Sequence, residues 1–437
     1  MNPKVLVERF RDSLFFVPSL YVFVAIGLAW LTNTLDSRVG PEGLQYLLQT
    51  SPSGARALLG AVAGATITVA GLVFSLTALT VQLSATQYSP RVLQGFLRDR
   101  FQQTSVGIVV GTFTYSLVAL ATAGPASEQT IYAPWAATVA TVLAIITVLT
   151  IIAFIDHVSR RIRVDDTIRR LAVSTTKSLG GWLRTIESGA GRDVEPIDHE
   201  SESVTISATR AGWVQHVDYA ALLNNSAAHS LIRIDIRVGR FVTSGDPIVT
   251  IWSHEPVDES EVRAEVAIGD TRSIAQDPMF GIRQLVDIAL RAMSPGINDP
   301  TTAADVIRHM VEPLQLLLVS ELPARVLLGD DGTRLYRPDF TTVDDALRLA
   351  FTEIRLTASG MVSVGAALVD SIGSLMKAAL DSEFPSRADS LMRQYQLLVE
   401  DIDQWQIPDD DLEWMWATAD RYGLRERLAA VQAEETA

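Results

Sequence analysis

Cysteine is absent from this 437-residue chain. Its absence removes disulfides, thiolate zinc sites, iron–sulfur clusters and cysteine nucleophiles together, and leaves the redox compartment open. Lysine is nearly missing too: Lys4, Lys177 and Lys377 stand against 33 arginines, which excludes most lysine-based chemistry. The six histidines, His157, His199, His216, His229, His254 and His309, show neither HExxH nor paired i,i+4 spacing. Asp305 and His309 share a helical face, yet two groups make an incomplete metal site and read as a surface pair. There is no Walker A loop, GxSxG elbow or Gly-rich phosphate fingerprint after a strand. We therefore expect no metal, no cofactor and no enzyme. An Asp287/Asp299 carboxylate pair is the one acid–base arrangement left, and sequence gives it no distance.

Positive charge is in deficit overall, with 36 basic against 51 acidic side chains and a net charge of −15. That balance speaks against a nucleic-acid partner, which needs a concentrated cationic surface. At the same time 48% of the residues are apolar, high for a chain of this charge unless grease and charge occupy different stretches. They do. Residues 1–163 hold 11 Lys/Arg and 7 Asp/Glu, net +4, and residues 164–437 hold the other 25 and 44, net −19.

Four apolar runs fill the first stretch, at about 14–35, 58–83, 106–124 and 132–155. At 1.5 Å per residue each is long enough to cross roughly 30 Å of hydrocarbon. None has an ionisable side chain in its middle, which argues against a proton relay or strongly charge-coupled transport. The first run is too long for a signal-peptide core and lacks a small-x-small cleavage site, so it reads as a retained span. Basic residues set the orientation. Lys4, Arg9 and Arg11 precede the first span, Arg91, Arg98 and Arg100 lie between the second and third, and Arg160, Arg161, Arg163, Arg169 and Arg170 follow the fourth. Both termini are therefore expected on the cytoplasmic side of the membrane. Trp30, Tyr132 and Trp135 then fall at the outer boundary, where amphipathic rings settle.

Spans two and three are the polar ones. The second carries Gly60-x-x-x-Gly64, Gly71, Thr66, Thr68, Ser75, Thr77, Thr80 and Gln82; the third carries Gly107-x-x-x-Gly111, Thr112, Thr114, Tyr115 and Ser116. Small and hydroxylated faces permit close helix packing. The same residues also suit a hydroxyl-lined path between copies of the chain. Thr66, Ser75, Thr77, Thr80, Gln82, Thr112, Thr114 and Tyr115 are thus pore or packing candidates. Between these spans, Ser89 suits an N-cap and Pro90 the first helical position, and Leu93, Phe96, Leu97 and Phe101 share one side. An interfacial helix over 89–103 is expected, with Gln87, Ser89, Pro90 and Arg91 as gate or elbow candidates; the plainer reading is a lipid-facing connector.

Residues 164–200 read as a stalk helix continuing from the fourth span, followed by a Gly-, Pro- and acid-rich linker. Residues 201–255 hold the clear β pattern, with the alternating Leu231 to Val238 and a Thr-Ser-Gly-Asp turn at 243–246. The Gly212-x-Val and Gly239-Arg-Phe-Val-x-x-Gly-Asp-Pro-Ile pattern resembles biotinyl/lipoyl barrel-sandwich modules. A carrier needs a lysine at the hairpin tip and this turn has none, so a structural or docking module is expected. Residues 256–437 read as an acidic, mainly helical bundle, with a hairpin around Gly329-Asp-Asp-Gly332.

Phe280 to Ala303 is the most distinctive segment. Arg283, Asp287 and Arg291 recur every fourth residue of one helix, Ser294-Pro-Gly ends it, and Asp299-Pro300 starts the next. The two arginines and the N–H groups of the second helix suit an anion site formed with Asn298, Asp299 and Thr301. A salt-bridged helix–turn–helix face explains the same pattern. This segment, with Gln87-Tyr-Ser-Pro-Arg-Val-Leu and Phe113-Thr-Tyr115, resembles a family of bacterial predicted membrane proteins with a domain of unknown function, over about residues 10–430. The resemblance implies four N-terminal spans and a C-terminal cytoplasmic part. It marks Gln87, Ser89, Pro90, Arg91, Asp287, Arg291, Ser294, Pro295, Asn298, Asp299, Pro300 and Thr301 as motif positions, and it implies no substrate or cofactor.

The sequence thus predicts a polytopic α-helical membrane protein with four spans and a cytoplasmic α+β region, a small β barrel-sandwich module followed by a helical bundle. The expected function is an oligomeric channel- or transporter-like conduit gated by its cytoplasmic domain; the alternative is a membrane-anchored ligand sensor or scaffold. Expected partners are the lipid bilayer, further copies of the chain, and an anionic small ligand or ion.

Overall fold

The computed structural model describes residues 16–38, 51–87, 100–122, 134–161, 164–184, 190–191, 203–274, 276–337 and 342–436. They divide into two compact units, Met1–Arg163 and Val164–Ala437.

The first unit is built from α1 (Phe16–Arg38), α2 (Pro52–Gln87), α3 (Arg100–Thr122) and α4 (Pro134–Arg161). Arg100 to Gln103, placed by the sequence reading at the end of an interfacial helix, form the first turn of α3; residues 88–99 lie outside the described residues. The α3 helix is central, packing on α1, α2 and α4. Its glycines permit this: a Cβ at Gly107 would sit 2.6 Å from Cδ2 of Tyr21, and one at Gly111 3.4 Å from the Tyr21 carbonyl oxygen. Tyr21 of α1 therefore seats on a groove that only glycine leaves open. Several buried polar groups of the unit bond across its helices. The Tyr115 hydroxyl reaches Thr32 Oγ1 at 3.1 Å and the Ala136 carbonyl at 3.3 Å. The Asp36 carboxylate of α1 accepts the backbone N–H groups of Trp135 (3.0 Å) and Ala136 (3.2 Å), capping the start of α4.

The second unit begins with α5 (Val164–Arg184), a helix in the stretch read as a stalk, which packs on α8 (Pro278–Ala292) and α9 (Pro300–Val319). Contact with α8 is close, since a Cβ at Gly281 would lie 2.9 Å from Cβ and Cγ2 of Thr175 and nearer still to its Oγ1. Pairs of strands and short helices follow α5: β1 (Ala190–Gly191), β2 (Ser203–Ser207), β3 (Gly212–Val217), α6 (Tyr219–Asn224), β4 (Leu231–Ile234), β5 (Phe241–Val242), β6 (Pro247–Trp252), α7 (Glu259–Ala264) and β7 (Val266–Gly269). Two later strands, β8 (Val326–Leu328) and β9 (Arg334–Tyr336), form the expected hairpin and join the main sheet. Its order is β1-β8-β9-β4-β6-β2, antiparallel except between β4 and β9. A second sheet has the order β5-β3-β7. Ile206, Val214, Ile232, Ile234, Val249 and Ile251 fill the core between them. The sheet region is therefore not contiguous in sequence, because the β8–β9 hairpin arrives from between two helices.

The remaining helices are α10 (Val343–Thr357), α11 (Val362–Leu380), α12 (Ala388–Ile402), α13 (Asp409–Asp420) and α14 (Leu424–Thr436). A capping box of Thr342 and Asp345 starts α10. Arg387 closes the C-terminal end of α9, donating to the carbonyls of Leu317, Leu318 and Ser320 at 2.7 to 3.0 Å.

Five helices among the described residues are long and apolar enough to cross a membrane: α1, α2, α3, α4 and α11. They differ in surroundings. Two thirds of the most apolar window of α11 is buried within the second unit, against 17% for α1 and α4. The protein is mostly helical, with a sheet-containing C-terminal region.

Candidate functional site

The 280–303 segment spans most of α8, an exposed loop and the start of α9. Asp277 and Asp299 cap the two helices, each followed by proline at the first helical position. Asp299 accepts Thr302 N–H at 3.0 Å and the Thr302 hydroxyl at 2.6 Å. These bonds, that to the Thr302 hydroxyl first, hold its carboxyl below the usual carboxylate range. Asn298 adopts φ 50°, the left-handed conformation that asparagine tolerates, so that Asn298 N–H and Asp299 N–H turn back to the carbonyls of Ser294 and Ala292, both at 2.8 Å.

Arg283 of α8 donates to Asp287 at 2.8 Å and to both carboxylate oxygens of Glu353 on α10, at 3.0 Å for one of them. The Glu353 bond, followed by the nearby negative charges, raises the guanidinium pKa above its ordinary value. The motif thus ties α8 to α10 through one arginine between two carboxylates. Arg291 lies two turns further on and is exposed, as are Asn298 and Thr301. The structure brings Arg283 and Asp287 into contact. Asp299 bonds instead to its own helix, and its carboxylate occupies the helix N-terminus where an external anion would sit. Two residues that complete these contacts, Glu353 and Thr302, were not singled out from the sequence. Thr302 has a local signal, three positions after an N-cap aspartate; Glu353 has none, because its contact depends on how α10 packs.

A second junction joins the sheet region to α8. Arg272 donates from two nitrogens to Asp277 Oδ2 at 2.6 and 2.9 Å, with its guanidinium 5.5 Å from the Trp213 ring centre and 4.8 Å from that of Phe280. A Cβ at Gly239, which has φ 86°, would stand 2.7 Å from Asp277 Cγ. Burial pushes the Asp277 carboxyl up, against the downward pull of Arg272.

In the first unit the pore or packing candidates separate by face. Thr112 and Tyr115 are buried within the bundle, and Thr112 Oγ1 meets Thr147 Oγ1 at 3.0 Å. Thr66 is buried and bonds back to Val62 and Ala63; Thr80 and Thr114 bond back to Leu76 and Val110. The Thr77 hydroxyl is enclosed with no partner among the described residues. Ser75 and Gln82, by contrast, are exposed. With them on α2 lie Ala57, Ala61, Gly64, Thr68, Gly71 and Ala78, all exposed, alternating by three and four residues along one line. A Cβ at Gly60, Gly64 or Gly71 would meet nothing within 4 Å among the described residues, so these glycines serve no contact there. Gln87 ends α2, and Ser89, Pro90 and Arg91 lie outside the described residues.

A family model described as "Predicted membrane protein (DUF2254)" matches residues 11–374. Similar curated proteins are uncharacterised proteins of two Mycobacterium tuberculosis strains, H37Rv and CDC 1551, and of Mycobacterium bovis. Each is 29% identical over 406 residues, covering 91% of this chain and 77% of the relative. No solved structure matches.

Proposed function

The chain belongs to the DUF2254 family of predicted membrane proteins, and from that premise we propose that it is a homo-oligomeric conduit of the bacterial inner membrane whose α2 helices face a shared axis. The observation that carries this reading is the chemistry of the exposed faces. On α1 and α4 they are large and apolar, with Phe23, Val24, Val142, Ile145, Leu149 and Ile152, as lipid contact favours. On α2 the line from Ala57 to Gln82 is made of glycine, alanine, serine, threonine and glutamine. Its 25 intervals of 1.5 Å give about 37 Å, enough to traverse the roughly 30 Å hydrocarbon core. Ile67 and Phe74 flank it on one side, Leu72 and Leu79 on the other, all exposed. Lipid gains nothing from a narrow polar line between two apolar rows, whereas other copies of α2 do.

In this reading the first unit crosses the membrane four times and α11 belongs to the second unit's core, as its burial supports. The positive-inside bias puts both termini and the second unit in the cytoplasm. There, the strands of 203–252 serve as a small barrel-sandwich docking module, the helical unit gates the path, and no catalysis is expected. Purified protein in planar bilayers should conduct ions or pass small solutes, and Thr68→Val with Ser75→Val should reduce that flux at unchanged assembly. Assembly without conductance or flux across many ions and solutes would reduce the α2 line to a packing seam and end the conduit reading.

The alternative, a membrane-anchored sensor or scaffold acting through the 280–303 loop with an anionic ligand, draws on the exposed Arg291 and loop residues. Substituting Arg291 would then abolish ligand binding while leaving assembly intact.

A further inference from the structure

A groove of 700 Å³ is lined by α13 and by Arg425 of α14. The inner side of α13 is used: Met415, Thr418 and Ala419 are buried, and the helix packs on α11. Its outer side is uncovered among the described residues. Trp414 is 59% exposed there, and Asp410, Glu413, Ala417 and Asp420 are exposed on the same side of the helix. Leu412 and Trp416, both half-buried, complete the apolar lining. Tryptophan offers a large apolar ring and is the residue type most often found anchoring an interface. Ala417, three positions on, projects only a methyl, so a side chain from outside can settle beside the indole.

Charge specifies the occupant. The carboxylates of Asp409, Asp410, Glu413 and Asp420 border the groove against one guanidinium, that of Arg425. Asp409 and Asp410 belong to the first turn of α13, where acids suit the helix dipole. Asp420 does not. It ends the helix, where a carboxylate is disfavoured, and its contact with Arg425 is long, 3.6 Å, between two exposed side chains, so the pair contributes little. Asp410 and Asp420 stand ten residues apart, about 15 Å along the helix, with the indole between them. The complementary occupant carries positive charge toward both ends and an apolar side chain in the middle. A single cation cannot span that line, whereas a helix of the same pitch laid along α13 does.

We propose that the α13 groove docks a basic amphipathic helix of a partner protein, with an apolar side chain on Trp414 and Ala417 and arginines or lysines on the carboxylates at either end. The site uses the second unit alone, and failure of the conduit reading would leave it standing. The test is fluorescence anisotropy on the full chain in phosphatidylcholine nanodiscs, whose neutral lipid does not attract a basic probe. The probe is a fluorescein-labelled synthetic helix of leucine, alanine and arginine, with its arginines at the spacing of the carboxylates. It should bind saturably and more weakly as salt rises. Glutamate in place of its arginines, or serine in place of its leucines, should abolish binding. Trp414→Ala, at an exposed position, should weaken it about tenfold at unchanged Tm. Ala417→Arg, which fills the groove and opposes its charge, should remove it. Asp410→Asn with Glu413→Gln should weaken it about threefold or more and flatten the salt dependence. Glu255→Gln with Asp270→Asn, exposed acids outside the groove, should change nothing. Binding that is absent, that survives Trp414→Ala and Ala417→Arg, or that falls equally with Glu255→Gln and Asp270→Asn would overturn the proposal. Spermine competing as tightly as the helix would overturn it in favour of a small polycation, and a smaller assembly in Trp414→Ala by light scattering would overturn it in favour of a second copy of the chain.

Discussion

Asp299 and Arg283 come from one sequence motif, and the fold spends both on holding helices. Asp299→Ala leaves the first turn of α9 without its acceptor and is expected to cost about 0.5–2 kcal/mol in chemical denaturation followed by tryptophan fluorescence. The depressed carboxyl also has a pH signature. A group whose pKa is lower in the folded state contributes stability that is present above its unfolded value, and loses it as pH falls through the folded one. Denaturation midpoints should therefore fall below about pH 4, and Asp299→Asn should fall less steeply there than the parent chain. Arg283→Met takes one charged donor from the Asp287 carboxylate, whose side chain is 9% exposed, and is expected to cost roughly 1–3 kcal/mol. Glu353 is about half exposed, so Glu353→Gln should cost much less. Tyr115→Phe removes the bonds to Thr32 and Ala136 and should destabilise the first unit by about 0.6 kcal/mol, and no more than about 1.7, if its helices bond as membrane helices do. Conductance should not change with it, because Tyr115 is sealed within one chain.

Among elements, the glycines divide the helix faces that pack within the chain from the α2 face that meets no described residue. Gly107→Ala drives a methyl into the Tyr21 ring and Gly281→Ala drives one into Thr175; each should cost about 1–3 kcal/mol, read as a lowered unfolding midpoint in detergent. Gly64→Ala and Gly71→Ala meet nothing among the described residues. They should leave that midpoint unchanged and shift the protein toward smaller assemblies by size-exclusion light scattering. The GxxxG pairs of α2 and α3 looked alike as sequence, since spacing alone does not tell which neighbour a glycine faces. Helix limits were more legible. Pro300 after Asp299, and Thr342 three residues before Asp345, announce helix starts through cap chemistry that is local in sequence. The 201–255 strands were legible by alternation, but the main sheet's use of β8 and β9 was not, because the parallel β4–β9 pairing joins residues about a hundred positions apart. The Arg283–Glu353 bridge was hidden for the same reason, whereas the Arg283–Asp287 rung was visible as an i,i+4 pair.

At the scale of the whole molecule, grease and charge are segregated, and the boundary at Arg163 and Val164 that divides the two compact units also divides a chain segment of net +4 from one of net −19. Function, in this account, resides where the first unit's surface breaks its own rule and turns small and polar along α2. The native chain has no cysteine, so single cysteines placed along α2 in otherwise unaltered protein test that claim most directly, by oxidative cross-linking in native membranes. Thr68→Cys, Gly71→Cys, Ser75→Cys and Ala78→Cys are expected to form disulfide-linked dimers while Ile67→Cys, Leu72→Cys, Phe74→Cys and Leu79→Cys are not, a pattern repeating every three and four residues. Cross-linking that is absent along the line, or equally strong at the flanking apolar positions, would contradict the account.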